Sequence, residues 1–204
     1  MKTETAVLKI SLRLFGVSCF VAHEDIQPTK EWQVEIENAL ASMDGLVALM
    51  TDNFHVSDWT DQEVGFAFAR GVPIIAVRLG KDPYGFIGKF QGLAGNGETC
   101  AEDIAKLLIK NDRMFAAYIE ALRNCGSFDQ GNRLANIFSG IERLSSQQID
   151  ELVRTFNENS ELQGSFGFNG SNPRQYGAGL APLLNRMGNR KFELVKSRII
   201  DVVC

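Results

Sequence analysis

The side chains in this 204-residue chain that could do chemistry gather in two short stretches. One is His23-Glu24-Asp25-Ile26-Gln27-Pro28. The other is Thr51-Asp52-Asn53-Phe54-His55-Val56-Ser57-Asp58-Trp59, with Glu63 one helical turn further on. Each sets polar groups among apolar or aromatic ones, which suits a nucleotide-like ligand. Glu63 is the most suggestive carboxylate. It precedes Val64-Gly65-Phe66-Ala67-Phe68-Ala69, a helix apolar nearly all round and therefore expected to be buried. A carboxylate at the N-terminal end of that helix would face the loop rim beside the Trp59 indole. The spacing Thr60-x-x-Glu63 equally fits a capping box, in which Glu63 merely accepts a backbone N–H. His23 fits a base or pH-sensitive switch, or a hydrogen-bonded structural residue at a strand end. Asp25 fits a ribose-hydroxyl ligand, or an Asx-turn ahead of Pro28. Trp32 begins an apolar helix face and is expected in the core. Asp82-Pro83-Tyr84-Gly85-Phe86 reads as a turn.

Several chemistries find no support. There is no G-x-G-x-x-G and no G-x-x-x-x-G-K-[ST], so ordinary dinucleotide and ATP cradles are absent. His23 and His55 are the only histidines, and no C-x-x-C pair exists among Cys19, Cys100, Cys125 and Cys204. Neither a zinc site nor any other cofactor is expected. The cysteines lie far apart, fit a reducing compartment and read as packing residues. A net charge of −4 and a pI near 5.3 argue against a nucleic-acid backbone as partner. No apolar run approaches ~18 residues, so no membrane span is expected. Charged residues interrupt the N-terminal MKTETAVLKISLRLFG, which has no clean apolar region of the signal-peptide kind. The expected location is the cytoplasm.

The elements that must position these residues are legible as alternating patterns. Val17–Ala22, Leu46–Met50 and Ile74–Leu79 are short continuous apolar runs, expected as strands buried on both faces of a parallel sheet. Between the first two, Trp32, Ile36, Ala39, Leu40 and Met43 fall at helical spacing, with Thr29 as N-cap. Between the second and third, a helix over about Trp59–Ala69 ends at Gly71 and Pro73. The order is that of an α/β doubly wound unit, with ligands expected outside the carboxyl ends of the strands. Phe90–Leu93 fits a further short strand, and Thr99-x-x-Glu102 a capped helix running to about Lys110. Residues 1–92 carry 8 Lys+Arg and 12 Asp+Glu, whereas residues 93–204 carry 13 of each. Beyond residue 112, Met114–Leu122, Leu134–Ile141 and Ile149–Phe156 read as helices, the last capped by Ser145-x-x-Gln148. Gly164–Gly179 reads as loop and Phe192–Val203 as a final helix. The expected division is residues 1–111 and a helical region of residues 112–204.

Taken together, Asp25-Ile26-x-Pro28 followed by Trp32, then Ser57-x-Trp59-x-x-x-Glu63, then Pro73-Ile74-Ile75, resemble a TIR domain of the bacterial kind over roughly residues 5–110. The resemblance implies a flavodoxin-like α/β fold with a parallel sheet, joined here to an α-helical C-terminal region. It implies cleavage of NAD at the nicotinamide–ribose bond, with NAD as substrate rather than cofactor and no metal. Glu63 takes the catalytic position, and His23, Asp25, Ile26, Ser57 and Trp59 the substrate-binding positions. The loop His23–Pro28 corresponds to one that mediates self-association and helps form the nucleotide site across protomers. Relatives act in antiphage defence, making ADP-ribose or cyclic ADP-ribose signals or depleting NAD, which implies a downstream effector protein as a further partner. The alternative is a TIR interaction module that signals by assembly without turnover. A nucleoside-processing enzyme on a similar fold is a third reading.

The family pattern also places a strand before the one that ends at Asp-Ile-x-Pro. Val17–Ala22 is then strand two, Val7–Phe15 the tail of the preceding helix and Gly16 its stop. With no counterpart of the first strand ahead of it, either residues 5–14 form a substitute strand or the sheet closes differently. Both imply weaker NAD cleavage than in an intact relative.

Overall fold

The structure, a computed structural model, describes residues 2–26, 31–57, 59–96, 99–187 and 190–202. The chain forms two compact units, one of Met1–Arg13 with Ser18–Ile104, the other of Leu14–Val17 with Ala105–Cys204.

The first unit is built on a three-stranded parallel sheet, β1 (Leu46–Thr51), β2 (Ile74–Leu79) and β3 (Leu93–Ala94), in that order. The register runs from Leu46 opposite Ile74 to Thr51 opposite Leu79, and Val77 and Arg78 lie opposite Leu93 and Ala94. Helices α1 (Lys2–Arg13), α2 (Ala22–Asp25), α3 (Trp32–Ser42) and α4 (Thr60–Arg70) complete it, with the start of α5 (Cys100–Leu108). α4 is the crossover from β1 to β2. Its Val64 packs with Ala48, Met50, Ala76 and Ile87, and partly buried Leu46, Phe54 and Ile74 close this core. Gly71 ends α4 in the left-handed conformation (φ 68°), where a Cβ would be strained. The Arg70 guanidinium donates to the carbonyls of Leu40 and Met43, tying the ends of α3 and α4 together. This is a flavodoxin-like core.

Val17–Ala22 is not a strand. Residues 17–21 join no ladder, Val21 is extended, and Ala22 opens α2. The reason is local. The Val21 N–H donates to the Asp25 carboxylate at 2.6 Å, and the Val21 carbonyl accepts from the N–H groups of Glu24 and Asp25, each at 2.9 Å. Backbone groups a ladder would need are already committed. Residues 5–14 form no substitute strand either, since Lys2–Arg13 is helical. The segment is helical, as the family pattern implied, and among the described residues β1 is an edge of the sheet. Thr29 lies outside the described residues, and α3 starts after Glu31 without a side-chain cap. β3 begins where the Phe90–Leu93 expectation ended. The start of α5 is wrapped by Asn96 and Thr99, each side chain accepting from the other's N–H at 3.1 and 3.0 Å.

The second unit contains α6 (Asp112–Arg123), α7 (Phe128–Ala135), α8 (Ser146–Glu158), α9 (Ser160–Gly164), α10 (Phe166–Asn169), α11 (Pro173–Tyr176) and α12 (Leu180–Asn185). The capping box of Ser145 and Gln148 on α8 is formed in both directions. Three expectations change. The helix placed at Leu134–Ile141 is the end of α7 followed by a 3₁₀ turn, Asn136–Gly140. Gly164–Gly179 is not loop throughout, because it holds α10 and α11. Phe192–Val203 is no helix but an antiparallel hairpin of β4 (Phe192–Val195) and β5 (Arg198–Asp201). Asn185 and Asn157 fix that hairpin from outside. Their side chains bond the backbone N–H and carbonyl of Phe192 and of Ile199 respectively. Gly16 sits at φ 80°, and a Cβ there would collide with the carbonyl of Ala117.

Candidate functional site

The loop after β1 leads through a 3₁₀ turn, Phe54–Val56, into α4. Trp59 precedes the first residue of α4, and its carbonyl accepts the Glu63 N–H at 2.8 Å. That bond sets the i, i+4 relation that puts the two side chains on one side of the helix. The Thr60 hydroxyl donates to the carbonyl of Phe54, and no side-chain cap closes the start of α4. The capping box suggested by Thr60-x-x-Glu63 is therefore not formed. Among the described residues the half-buried Glu63 carboxylate has neither a hydrogen-bond nor an ion-pair partner, and burial alone pushes its pKa above the usual carboxylate range. An unneutralised carboxylate facing little water is suited to a developing positive charge.

Trp59 is half-buried and meets Trp32 edge to face, with ring centroids 5.1 Å apart and planes at 78°. Trp32, expected in the core, is 51% exposed. It stands at the first residue of α3, where only part of the indole has apolar neighbours to pack on. Ser57 is exposed, and its hydroxyl accepts from the Trp59 N–H at 3.4 Å. Tyr84, from the segment between β2 and β3, donates to Asp61 on the first turn of α4 at 2.5 Å and packs edge-on against Phe54. Burial and the bond to Asp61 push the Tyr84 hydroxyl up to about 12, so it remains a donor at neutral pH.

His23–Ile26, the described part of the His23–Pro28 stretch, is a short helix and its C-cap. His23 lies in α2 and its side chain is outside the described residues, as are residues 27–30. Asp25 is engaged: it accepts from Val21 and pairs with Lys9 of α1, which also lies 3.5 Å from Glu24. Burial opposes ionisation of Asp25, but the bonds from Lys9 and Val21 and the Lys9 charge outweigh it and hold the carboxyl below its usual range. Asp25 thus bonds backward to Val21 and sideways to a cation. Ile26 is half-buried rather than exposed. Sequence reasoning missed Lys9, which is 7% exposed. Its signal was a cation among the buried positions Leu8 and Leu12 of α1, with two carboxylates further along. Trp32–Trp59 and Glu63 share the α3–α4 side of the unit, whereas a depression of about 330 Å³ at the ends of β2 and β3, lined by Arg78, Lys81 and Asp82, includes none of the nominated residues.

Among the described residues no three His, Cys, Asp or Glu side chains are placed to hold a metal ion, and no helix is long and apolar enough to cross a membrane. Cys100 and Cys125 are buried and unpaired, and burial raises both thiols.

A parallel sheet flanked by helices is the fold the motif resemblance implied. The family model for the TIR domain matches residues 2–108. The chain belongs to the TIR-domain family. No curated protein and no solved structure matches it. This TIR domain begins with a helix rather than a strand, and a mostly helical region follows it.

Proposed function

We propose that this TIR protein cleaves NAD at the nicotinamide–ribose bond, with Glu63 as the catalytic carboxylate. One observation carries the reading: Glu63 is half-buried, free of partners among the described residues, and released from the capping role its spacing suggested. The chemistry asks for little more. When the bond between the ribose carbon and the pyridinium nitrogen breaks, the electron pair leaves with nicotinamide and neutralises it. No general acid is needed for that departure. What must be stabilised is the oxocarbenium-like ribose, and an ionised carboxylate beside it does so electrostatically. Attack by water, which then loses a proton, gives ADP-ribose. Attack by an adenine nitrogen gives a cyclic product. Trp59, one turn before Glu63, and Ser57 take the substrate-binding positions the family resemblance assigns, and either product suits a signal in bacterial antiphage defence.

Purified full-length protein incubated with NAD is expected to release nicotinamide, and Glu63→Gln to lose at least about a hundredfold in kcat. Turnover unimpaired by the substitution would remove Glu63 from the mechanism. A second reading, an assembly module without turnover, draws on a different observation. Phe66, Phe68, Phe86 and Phe90 are all exposed on the first unit, with Phe68 and Phe86 stacked at 4.6 Å, a surface suited to a protein partner. That reading expects concentration-dependent assembly and no nicotinamide release at any protein concentration.

A further inference from the structure

Glu63 stands where the ladder of α4 begins, and the order of that first turn decides where its carboxylate sits. The Glu63 N–H makes the first rung, to the Trp59 carbonyl at 2.8 Å. Rungs at a helix end open more readily than those in its middle. Bonds reach this turn from two other segments. The Thr60 hydroxyl donates to the Phe54 carbonyl in the loop after β1. The Tyr84 hydroxyl, 23 residues along the chain from Asp61, donates to that carboxylate at 2.5 Å. The Tyr84 ring meets Phe54 edge to face, with centroids 6.3 Å apart. Asp61 and Glu63 lie two positions apart, about 200° around the helix axis, so Tyr84 grips the turn on the side away from the Glu63 carboxylate.

Tyr84 is itself anchored. Pro83 restricts the backbone ahead of it. The Ile87 N–H donates to the Tyr84 carbonyl at 3.2 Å, and the 3₁₀ turn Gly85–Ile87 packs on α4. The Ile87 side chain is buried in one core with Val64, the residue after Glu63. The short segment Tyr84–Ile87 therefore holds α4 before and after Glu63, at Asp61 through a hydroxyl and at Val64 through an apolar side chain. With its pKa at about 12, the hydroxyl keeps the proton for this bond at neutral pH.

We propose that Tyr84 is a positioning residue for Glu63: bonded to Asp61 and packed on Phe54, it fixes the first turn of α4 and with it the place of the carboxylate. This rests on the NAD-cleaving reading above and adds to it a residue that acts through α4 rather than on the substrate. An oxocarbenium-like ribose is stabilised only while the carboxylate is held beside it. Loosening the turn therefore costs the transition state more than the bound substrate. A surface hydrogen bond without this role would contribute to stability alone.

The test uses the full-length chain and reads kcat and KM for NAD beside the exchange rate of the Glu63 amide proton by NMR. Tyr84→Phe keeps the ring and removes the hydroxyl. It is expected to lower kcat about tenfold with KM within about twofold, and to speed Glu63 amide exchange about tenfold relative to Ala67 further along the helix. Asp61→Ala is expected to match it, and Asp61→Asn, which keeps an acceptor for the hydroxyl, to recover most of the loss. The double variant Tyr84→Phe with Asp61→Ala is expected to be no worse than either alone. A lowered melting temperature with unchanged kcat, losses that multiply in the double variant, or Asp61→Asn as impaired as Asp61→Ala would overturn the proposal. Asp61→Ala does not touch the packing of Tyr84 on Phe54 and decides the question if Tyr84→Phe does not fold. The two readings fail separately. Faster Glu63 exchange in Tyr84→Phe, with no nicotinamide release by the unsubstituted chain at any protein concentration, sinks the enzyme and keeps the grip on the turn. Nicotinamide release with Tyr84→Phe equal to the unsubstituted chain in kcat and in Glu63 exchange sinks the positioning role and keeps the enzyme.

Discussion

Glu63 and the Lys9–Asp25 pair place charge under opposite pressures, and each has a pH signature. Burial raises the Glu63 pKa, so the folded chain holds that proton more tightly than the unfolded one. Ionised Glu63 therefore costs stability above its folded pKa, and the cost disappears as pH falls through it. Glu63→Gln is expected to melt above the unsubstituted chain at about pH 8, with the difference closing in acid, as measured by circular dichroism. If the carboxylate form is the active one, kcat falls as pH drops through that same raised pKa, so the acid limb sits higher than an ordinary glutamate would place it. Asp25 runs the other way. Its folded pKa is depressed, so its contribution to stability is present above the unfolded carboxylate pKa and is lost as pH falls through the folded one. Lys9→Met leaves Glu24 and Asp25 without their shared cation. With Lys9 buried and Asp25 about a third exposed, the expected loss is about 1–3 kcal/mol, and adding Asp25→Asn should restore part of it. Equal stability of Lys9→Met and the unsubstituted chain in urea would show that the pair contributes nothing.

Elements whose patterns were complete within a short window were legible, and those completed by distant partners were not. Leu46–Met50 and Ile74–Leu79 are uninterrupted apolar runs, and α4 carries its own glycine stop, so β1, β2 and the site helix could be read directly. Val17–Ala22 looks the same as those strands in composition, but the Asp25 carboxylate takes a backbone N–H that a ladder would use. Glu63 was nominated by its spacing, yet its freedom from capping depends on Thr60 turning to Phe54, which spacing does not encode. The hairpin of β4 and β5 was hidden for two reasons. Asn185 and Asn157 hold it from elsewhere in the chain, and its turn lacks the usual residues. Lys196 and Ser197 both have positive φ, 48° and 63°, the pattern of a type I′ turn normally filled by Asn-Gly. Replacing Lys196-Ser197 by Asn-Gly should relieve about 1–2 kcal/mol of backbone strain and raise Tm by roughly 2–8 °C in a thermal melt. A lower Tm would mean that the native side chains at the turn matter more than its backbone.

At the scale of the molecule, the TIR match ends at residue 108, and a second unit of comparable size carries no family motif. The question there is whether one copy of the chain makes a whole site. The segment at residues 23–28 that the family resemblance assigns to self-association begins in α2, and α2 is pinned to α1 by the Lys9 pair. Ile26 follows directly, half-buried, its N–H bonded to the Ala22 carbonyl at 3.2 Å. A single apolar side chain presented from a pinned turn is enough for a weak contact and too small for an obligate one. If that contact joins two copies around the nucleotide, specific activity should rise with protein concentration, and Ile26→Asp should lower NAD cleavage most where the protein is dilute. Because Ile26 is half-buried, the same substitution also tests folding, so melting curves belong beside the kinetics. A variant that melts like the unsubstituted chain yet needs about tenfold more protein for equal specific activity, the equivalent of about 1.4 kcal/mol of lost association, would place Ile26 at a functional contact. Specific activity that is equal in both proteins and flat across concentration would mean that one protomer holds a complete site and that α2 serves only the packing of its own unit.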